Sequence, residues 1–333
     1  MNGERNHQVG NGGWYRLTRR LGYPERKNRR LHHMTYNTIH LSLLIAAIIG
    51  CSKRTPVPPT GDQPVTGIVE ATDPNATYAI KSHRPAKGEK STVAKSRSGS
   101  MTTTTANSTQ TLEEKSRFEY LETVSDADPE EVRPNKVSRT YSIAEKTNQQ
   151  GEMQQLSYAG KTVTIEKYLK GYRFAADGKS LPVAEQIELN NDFTSGQGNI
   201  EAMLPKTPVK VGEQWTVDLS AIKALAGNLP FAYHKDKSSI TGKLLRAYTK
   251  DGRQWGVIEW KIVVVFDTVA TNGSPIRGSL PSTVTMDAVI DGSARAGKTT
   301  ITMQGKVDHR DMIGHEVKTT IEGTQEQSFA PVK

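Results

Sequence analysis

The chain has one cysteine among its 333 residues, so no disulfide can form within it. Aromatic residues make up only 6% of the sequence, and Tyr78 is the only one between residues 52 and 112. A segment this poor in aromatic side chains buries too little apolar surface to offset the entropy of ordering its backbone. A folded domain is therefore expected after residue 112, held together by packing and hydrogen bonds alone.

Long apolar runs are also missing from the sequence. The longest, residues 41–50, is mostly aliphatic and immediately precedes the single cysteine, Cys51. A transmembrane helix needs about 20 apolar residues, so a run of about ten has the length of a signal-peptide core instead. Ile48, Ile49 and Gly50 supply two aliphatic residues and a small one before Cys51. This pattern resembles the lipobox of bacterial lipoproteins, in which a signal peptide is removed just before a cysteine that carries lipid.

The resemblance implies cleavage between Gly50 and Cys51, with lipid attached to the Cys51 thiolate. We therefore expect an exported protein that its lipid anchors to a membrane, at the periplasmic face or the outer membrane. Translation could start at Met1, which gives a basic leader, or at Met34, which gives a leader without Lys or Arg. The competing interpretation of the apolar run is a short buried helix with an inert free cysteine.

The net charge of +9 is concentrated in the first third of the chain. Residues 1–50 contain 8 Lys/Arg and 2 Asp/Glu (+6), residues 51–112 contain 8 and 4 (+4), and residues 113–333 contain 28 and 29 (−1). A basic protein would ordinarily suggest a nucleic-acid partner. Because residues 113–333 are nearly neutral, however, we predict no nucleic-acid partner for the folded domain. The basic segment after Cys51 suits anionic lipid head groups or is a solvated linker with incidental lysines.

Residues 51–112 have the composition of a disordered tether. Proline, serine, threonine and lysine are frequent there, for example in residues 56–59 and 102–105. About sixty flexible residues have a root-mean-square span of roughly 45 Å. We therefore predict three regions: a leader and signal peptide over residues 1–50, the tether over 51–112, and a folded antiparallel β-domain over 113–333.

Alternation of apolar and polar residues dominates the domain and predicts β-strands. The clearest hairpin joins residues 240–248 to residues 254–266 through a turn at Asp251 and Gly252. One face of the second strand should line the core, and its residues are Ile258, Trp260, Ile262, Val264 and Phe266. Further strands are predicted around residues 117–124, 162–166, 172–174, 209–219, 282–290, 299–307 and 316–328.

One short helix is predicted over residues 221–226, with Ser220 as its N-cap, Gly227 at its end and Pro230 after it. Long strands, tight turns and one helix predict a mainly β fold. Its architecture is a curved antiparallel sheet or open barrel with one short helix, and a two-sheet β-sandwich is the alternative. Residues 204–215 resemble a stretch of uncharacterised β-rich bacterial lipoproteins, and this resemblance implies no activity.

Two motifs suggest a nucleotide or RNA partner, and their surroundings argue against both. Residues 292–299 match the phosphate-binding loop of nucleotide-binding proteins, which needs a following helix to cradle phosphate. The alternating, β-branched residues 300–305 predict a strand there, and residues 159–165 contain a similar phrase. Residues 170–174 partly match an RNA-binding signature, but a hairpin with cross-strand aromatic side chains explains them better. We therefore predict no nucleotide and no nucleic-acid partner.

The segment that contains His309 and His315 also holds three carboxylates. These groups could bind Zn²⁺ if a hairpin set the two histidines opposite each other. The common hydrolase motifs do not occur in the sequence, so no catalytic residue, metal or cofactor is assigned.

These features favour a lipid-anchored envelope protein with a non-catalytic binding or scaffold domain. Its expected partners are the membrane, through the lipid at Cys51, and an apolar small molecule or another envelope protein. The alternative is an exported metal-assisted hydrolase that uses the His309/His315 hairpin. An apolar pocket beside residues 221–226 would favour binding, and histidines and carboxylates converging in a cleft would favour hydrolysis.

Overall fold

The computed structural model describes most of the chain after residue 67. The described residues are 68–70, 73–148, 150–169, 171–194, 200–222, 233–269, 275–311 and 314–332. The predicted signal peptide, Cys51 and the first part of the predicted tether lie outside them.

Sixteen strands occur in the described residues, and fourteen of them form one antiparallel sheet. In chain order the strands are β1 (Ile68–Glu70), β2 (Thr77–Tyr78), β3 (Lys90–Thr104), β4 (Thr109–Asp126), β5 (Lys136–Thr147), β6 (Met153–Gln155), β7 (Thr162–Tyr168), β8 (Gly171–Ala176), β9 (Lys179–Ser180), β10 (Val209–Lys210), β11 (Gln214–Thr216), β12 (Ser239–Lys250), β13 (Arg253–Val269), β14 (Pro275–Val289), β15 (Gly297–Arg310) and β16 (Glu316–Pro331). The helical elements that lie wholly within the described residues are α1 (Val183–Thr194) and two 3₁₀ turns, Glu201–Met203 and Lys235–Lys237.

The strand order in the sheet is β1-β12-β13-β14-β15-β16-β3-β4-β5-β7-β8-β9. Strand β11 also pairs with β12, β6 also pairs with β5, and β2 and β10 form a separate pair. In the part of the chain that the structure describes, the sheet is open, with β1 and β9 at its edges. The prediction of a mainly β fold is confirmed, and the sheet fits the curved antiparallel alternative rather than the β-sandwich.

Most neighbouring strands are also neighbours in the chain and are joined by short turns. Asp251 and Gly252, between β12 and β13, have φ angles of 53° and 72°, as the favoured two-residue hairpin turn requires. Asp177 and Gly178, between β8 and β9, have φ angles of 48° and 77°. The predicted turn at Asp251 and Gly252 is therefore confirmed. Three pairs in the sheet join strands that are not consecutive: β1 with β12, β5 with β7, and β3 with β16. Strand β16 pairs along its length with β3 and so joins the last described strand to the first long strand.

The prediction of a disordered tether up to residue 112 is wrong for strands β1, β2 and β3 and for the start of β4. Strand β3 pairs with β16 on one side and with β4 on the other, so its backbone groups are hydrogen-bonded within the sheet. Val93 and Met101 are 2% and 8% exposed. Threonine also favours extended backbone, because its branched side chain packs well on a pleated surface. The composition of β3 resembles a linker, but the neighbouring strands supply the burial.

Helix α1 was not predicted from the sequence. Its second half contains Asn190, Asn191 and Asp192, which have low intrinsic helix propensity. Leu189 and Phe193 are its buried residues, so the packing of this face against the sheet stabilises the helix.

The predicted helix near residue 221 begins as expected. Residues 220–222 are helical, and the rest of the predicted segment lies outside the described residues. The predicted cap is wrong, because Asp218 accepts a hydrogen bond from the backbone N–H of Ser220 at 2.7 Å. Ser220 is instead the first helical residue.

Two apolar cores lie on one face of the sheet, which we call the inner face. The β13 core includes Ile240, Leu244, Ile258, Trp260 and Phe266. The α1 core includes Val137, Tyr141, Ile165, Phe174 and Leu189. The five residues of β13 that were predicted to share a buried face are all at most 8% exposed, which confirms that prediction.

Candidate functional site

The positions that the sequence assigns to lipid attachment and cleavage, Cys51 and Gly50, lie outside the described residues. Among the residues that the structure does describe, no helix is both long enough and apolar enough to cross a membrane. The other sequence motifs fall within the sheet and can be examined directly.

The register of β15 and β16 does not set His309 and His315 opposite each other. His309 pairs with Val317, and His315 precedes β16 in the connecting turn. There the backbone N–H of His315 donates to Asp311 Oδ1 at 2.9 Å. Among the described residues, no group of three or more His, Cys, Asp or Glu side chains is placed to hold a metal ion. The geometry on which the zinc alternative depends is therefore not found in this part of the chain.

The two nucleotide-like motifs are part of the sheet. Residues 292–299 form a bend that leads into β15, and Gly297 pairs with both β14 and β16. The motif is thus followed by a strand rather than by a helix whose N-terminus could bind phosphate, as predicted. In the second motif Phe174 is only 4% exposed and belongs to the α1 core. Its ring is therefore not available to stack on a base.

A cavity of about 300 Å³ lies between α1 and the inner face, and its lining includes residues of both cores. Strands β3, β4, β5, β14, β15 and β16 form its floor, and α1 and residues 132–134 form part of its sides. Ala221 and Ile222 are buried in the β13 core and do not line it. The cavity therefore lies beside α1 and not beside residues 221–226.

The cavity lining is charged as well as aromatic. Its ionisable groups include six basic and four acidic side chains: Lys95, Arg97, Arg133, Arg139, Lys146, Arg295, Glu114, Glu122, Glu188 and Asp192. The difference, six minus four, gives these groups a formal charge of +2. Phe118, Phe193 and Phe329 add apolar surface. A ligand that binds here therefore meets both charged and apolar groups.

Glu122 is the most deeply buried acid of the cavity. Its Oε2 accepts a 2.8 Å hydrogen bond from Arg139 Nε, and Oε1 is bound by Arg295. Burial alone would raise the pKa of the Glu122 carboxyl, but Arg295 and Arg139 hold it below its usual value. Arg139 also lies 4.6 Å from the centre of the Tyr120 ring. Glu122 is therefore ionised at neutral pH, and its two oxygens bind two arginines in the cavity.

Helix α1 attaches to the sheet through two acidic side chains one turn apart. Asp192 binds Lys95 of β3 and accepts a 2.9 Å hydrogen bond from Arg139 of β5. Glu188 lies 3.2 Å from Lys146. Burial alone would raise the pKa of Asp192, but Lys95 and Arg139 lower it to about 2. The acidic face of α1 thus contacts a basic part of the inner face.

Three tyrosines pack in a row on the α1 side. The ring centroids of Tyr120 and Tyr141 are 4.9 Å apart, and those of Tyr141 and Tyr158 are also 4.9 Å apart. Burial raises the pKa of Tyr141 to about 12 and raises the pKa values of Tyr120 and Tyr158 as well. All three phenols are therefore protonated near neutral pH, where they can donate hydrogen bonds but cannot act as bases.

Sequence reasoning missed every charged residue of this cavity. Lys95 and Arg97 fell in the predicted tether, although they occupy the same alternating positions of β3 as the buried Val93 and Met101. In a strand every second residue faces the same side, so a charged residue in line with buried apolar ones indicates a buried charged site. It could be recognised only once β3 was known to be a strand.

Comparison with the models of known protein families and with the curated protein sequences finds no match. The functional inference therefore comes from the residues of this chain itself.

Proposed function

We propose that this protein is a lipid-anchored component of a bacterial cell envelope whose β-domain binds a small molecule without transforming it. The proposed location rests on residues 41–51, which resemble a lipobox. The proposed binding function rests on one observation, the cavity between α1 and the inner face. Its volume of about 300 Å³ is at the lower end of the range for small-molecule sites.

The protonation states of the cavity groups support binding over catalysis. A general acid or base works best when its pKa is close to the operating pH. The pKa of Asp192 is about 2 and that of Tyr141 is about 12, so neither exchanges a proton readily near pH 7. Glu122 is held ionised between two arginines. Such groups orient a ligand rather than exchange protons with it.

The cavity lining also changes the expected polarity of the ligand. The sequence suggested an apolar molecule, but ion pairs occupy much of the cavity floor. A ligand with a polar end and an apolar remainder matches this lining better. The residues of the cavity thus support a binding site for a small amphiphile.

The anchor is tested by growing cells with a fatty-acid analogue and isolating the protein. Wild type should carry the label and remain with the membranes, whereas Cys51→Ala should carry none and should leave them. Cys51→Ser is the matched control, because it keeps the size of the side chain but lacks the thiolate that accepts lipid. Equal labelling of the wild type and both variants would refute the anchor.

The binding function is tested on the same full chain by adding dodecanoate and dodecanol as probes. Saturable binding of at least one of them is expected, and it should be lost in Val284→Arg, which places a charge at the apolar side of the cavity. If neither probe binds a folded wild-type chain, the proposed binding function is wrong.

A further inference from the structure

Along one row of neighbouring strands, the cavity lining changes from polar to apolar. The register places Arg97 of β3 opposite Gln325 of β16, Gln325 opposite Ile301 of β15, and Ile301 opposite Val284 of β14. All four residues line the cavity. Along this row the side chains change from a guanidinium through an amide to two aliphatic groups.

The row of four residues is about as long as a small amphiphile. Neighbouring strands are about 4.8 Å apart, so three steps from β3 to β14 span roughly 14 Å. Ile200 and Met203 extend the apolar side. A short alkyl chain could therefore lie along the row, with its polar end towards β3.

The charge distribution selects the sign of that polar end. Each of the four acidic groups of the lining is within ion-pair distance of a basic one: Glu122 of Arg139 and Arg295, Asp192 of Lys95 and Arg139, and Glu114 and Glu188 of Lys146. The lining as a whole still carries a formal charge of +2. A positive excess in a partly desolvated space favours a bound anion.

Strand β3 contributes two basic groups, Lys95 and Arg97, and no acidic group to the lining, which places positive charge at the polar end of the row. Burial lowers the pKa of Arg139, but the surrounding Tyr120, Glu122, Tyr141 and Asp192 raise it well above its usual value. Burial also lowers the pKa of Arg97, and the weaker influence of Glu114, Glu188 and Asp192 leaves it below its usual value. Arg97 is the basic residue of the row that leads through Gln325 to Ile301 and Val284.

Resting on the proposed binding function, we infer that the cavity takes an amphiphile with one anionic head group, a carboxylate or phosphate, held on the Arg97 side while its apolar tail lies towards Ile301 and Val284. Arginine suits this role because its planar guanidinium can donate two parallel hydrogen bonds to such a group. The phenols on the same side of the cavity can donate further hydrogen bonds. A fatty acid and a lipid phosphate share this chemistry.

The test measures binding by titration calorimetry on the full chain carrying Cys51→Ala, so that no attached acyl chain competes for the cavity. The probes are dodecanoate, dodecyl phosphate, dodecanol, acetate and inorganic phosphate. At least one of the two anionic amphiphiles should bind about 10-fold or more tightly than dodecanol, as expected when a charge-assisted hydrogen bond is added. Acetate and inorganic phosphate should bind far more weakly. The stronger of dodecanoate and dodecyl phosphate identifies the head group.

Arg97→Gln should remove the preference for the anionic probe over dodecanol, and Arg97→Lys should restore part of that preference. Arg117→Gln is the matched control, because Arg117 is exposed on the neighbouring strand and does not line the cavity.

Comparable binding of dodecanoate, dodecyl phosphate and dodecanol would overturn this inference and leave the proposed binding function standing. Binding of acetate or inorganic phosphate as tight as that of the amphiphiles would overturn the tail assignment. These probe comparisons use the unaltered cavity, so they stand even if Arg97→Gln does not fold.

Discussion

Glu122 of β4 and Arg139 of β5 are direct cross-strand neighbours whose side chains form an ion pair of 2.8 Å while only 4% and 5% exposed. Desolvating two charges is expensive, and their mutual attraction offsets it only when the remaining hydrogen-bonding groups are also satisfied. Here Arg295 binds the second oxygen of Glu122, and Asp192 binds a second nitrogen of Arg139. The pair therefore links the floor of the cavity to α1.

Replacing Glu122 by glutamine should strongly destabilise the fold. The change leaves Arg139 and Arg295 facing an uncharged amide, and breaking a buried ion pair costs about 3–5 kcal/mol. Urea denaturation measures the loss in unfolding free energy. The control is Glu119→Gln on the same strand, where a 38% exposed side chain pairs with Arg117 and a loss below about 1 kcal/mol is expected. Equal losses in the two variants would contradict the structural role of the buried pair.

Asp192→Asn should loosen α1 without unfolding the sheet. The pKa of Asp192 falls from its usual value near 3.8 to about 2 in the fold. Its stabilising contribution is therefore present above the unfolded pKa and is lost only as the pH falls through about 2, so wild-type α1 should stay protected between pH 8 and 4. Hydrogen exchange should show faster exchange of α1 amides in the variant, with β13 amides as the internal reference. Unchanged exchange in α1 would show that the ion pairs do not hold the helix.

His83 should make stability depend on pH near neutrality. Its Nε2 donates to Glu89 at 2.8 Å and its Nδ1 donates to the carbonyl oxygen of Gly292 at 3.0 Å, so both nitrogens carry protons. Burial lowers the pKa of His83, but the bonds to Glu89 and Gly292 raise it above its usual value. A raised pKa gives stability that is fully present below about pH 6.5 and is lost as the pH rises through the folded pKa.

The difference in melting temperature between wild type and His83→Gln should accordingly be larger at pH 6 than at pH 8.5. The difference at pH 6 should correspond to roughly 1 kcal/mol. His315→Gln is the control, because His315 is 57% exposed in a turn. A difference that does not change with pH would contradict the doubly donating His83.

Gly242→Ala should disturb the packing of Trp215. A Cβ atom at Gly242 would overlap the Trp215 indole, which is held in place by a 2.8 Å hydrogen bond from its Nε1 to the Met203 carbonyl oxygen. Overpacking of this kind typically costs about 1–3 kcal/mol. The control is Gly171→Ala, because a Cβ at Gly171 meets no atom within 4 Å. Thermal melts followed by tryptophan fluorescence compare the variants, and equal stability would show that Trp215 can move away freely.

Local patterns predicted the second half of the sheet well. The β12–β13 hairpin follows from Asp251-Gly252 and from the regular alternation that ends at Phe266, because both signals lie within a few residues of one another. Strand β3 and helix α1 were missed for a common reason. Val93 is buried by β16, more than 200 residues away in sequence, and α1 by the sheet below it, so neither element is specified by its own composition.

The cavity could not be predicted because it depends on such long-range pairings. Lys95, Arg139 and Asp192 come from two strands and a helix that are separated along the chain, and only the register of the sheet brings them together. Residues 292–299 show the converse case. That motif was correctly interpreted as a turn because the residues after it already indicate a strand.

Native mass spectrometry of the protein, extracted from the membranes of the cells that make it, tests the lipid anchor and the bound ligand together. We expect a chain that begins at an acylated Cys51 and retains a small anionic amphiphile, which the Val284→Arg variant should not retain. A chain that keeps its leader with an unmodified Cys51, and that carries no bound molecule, would contradict both expectations.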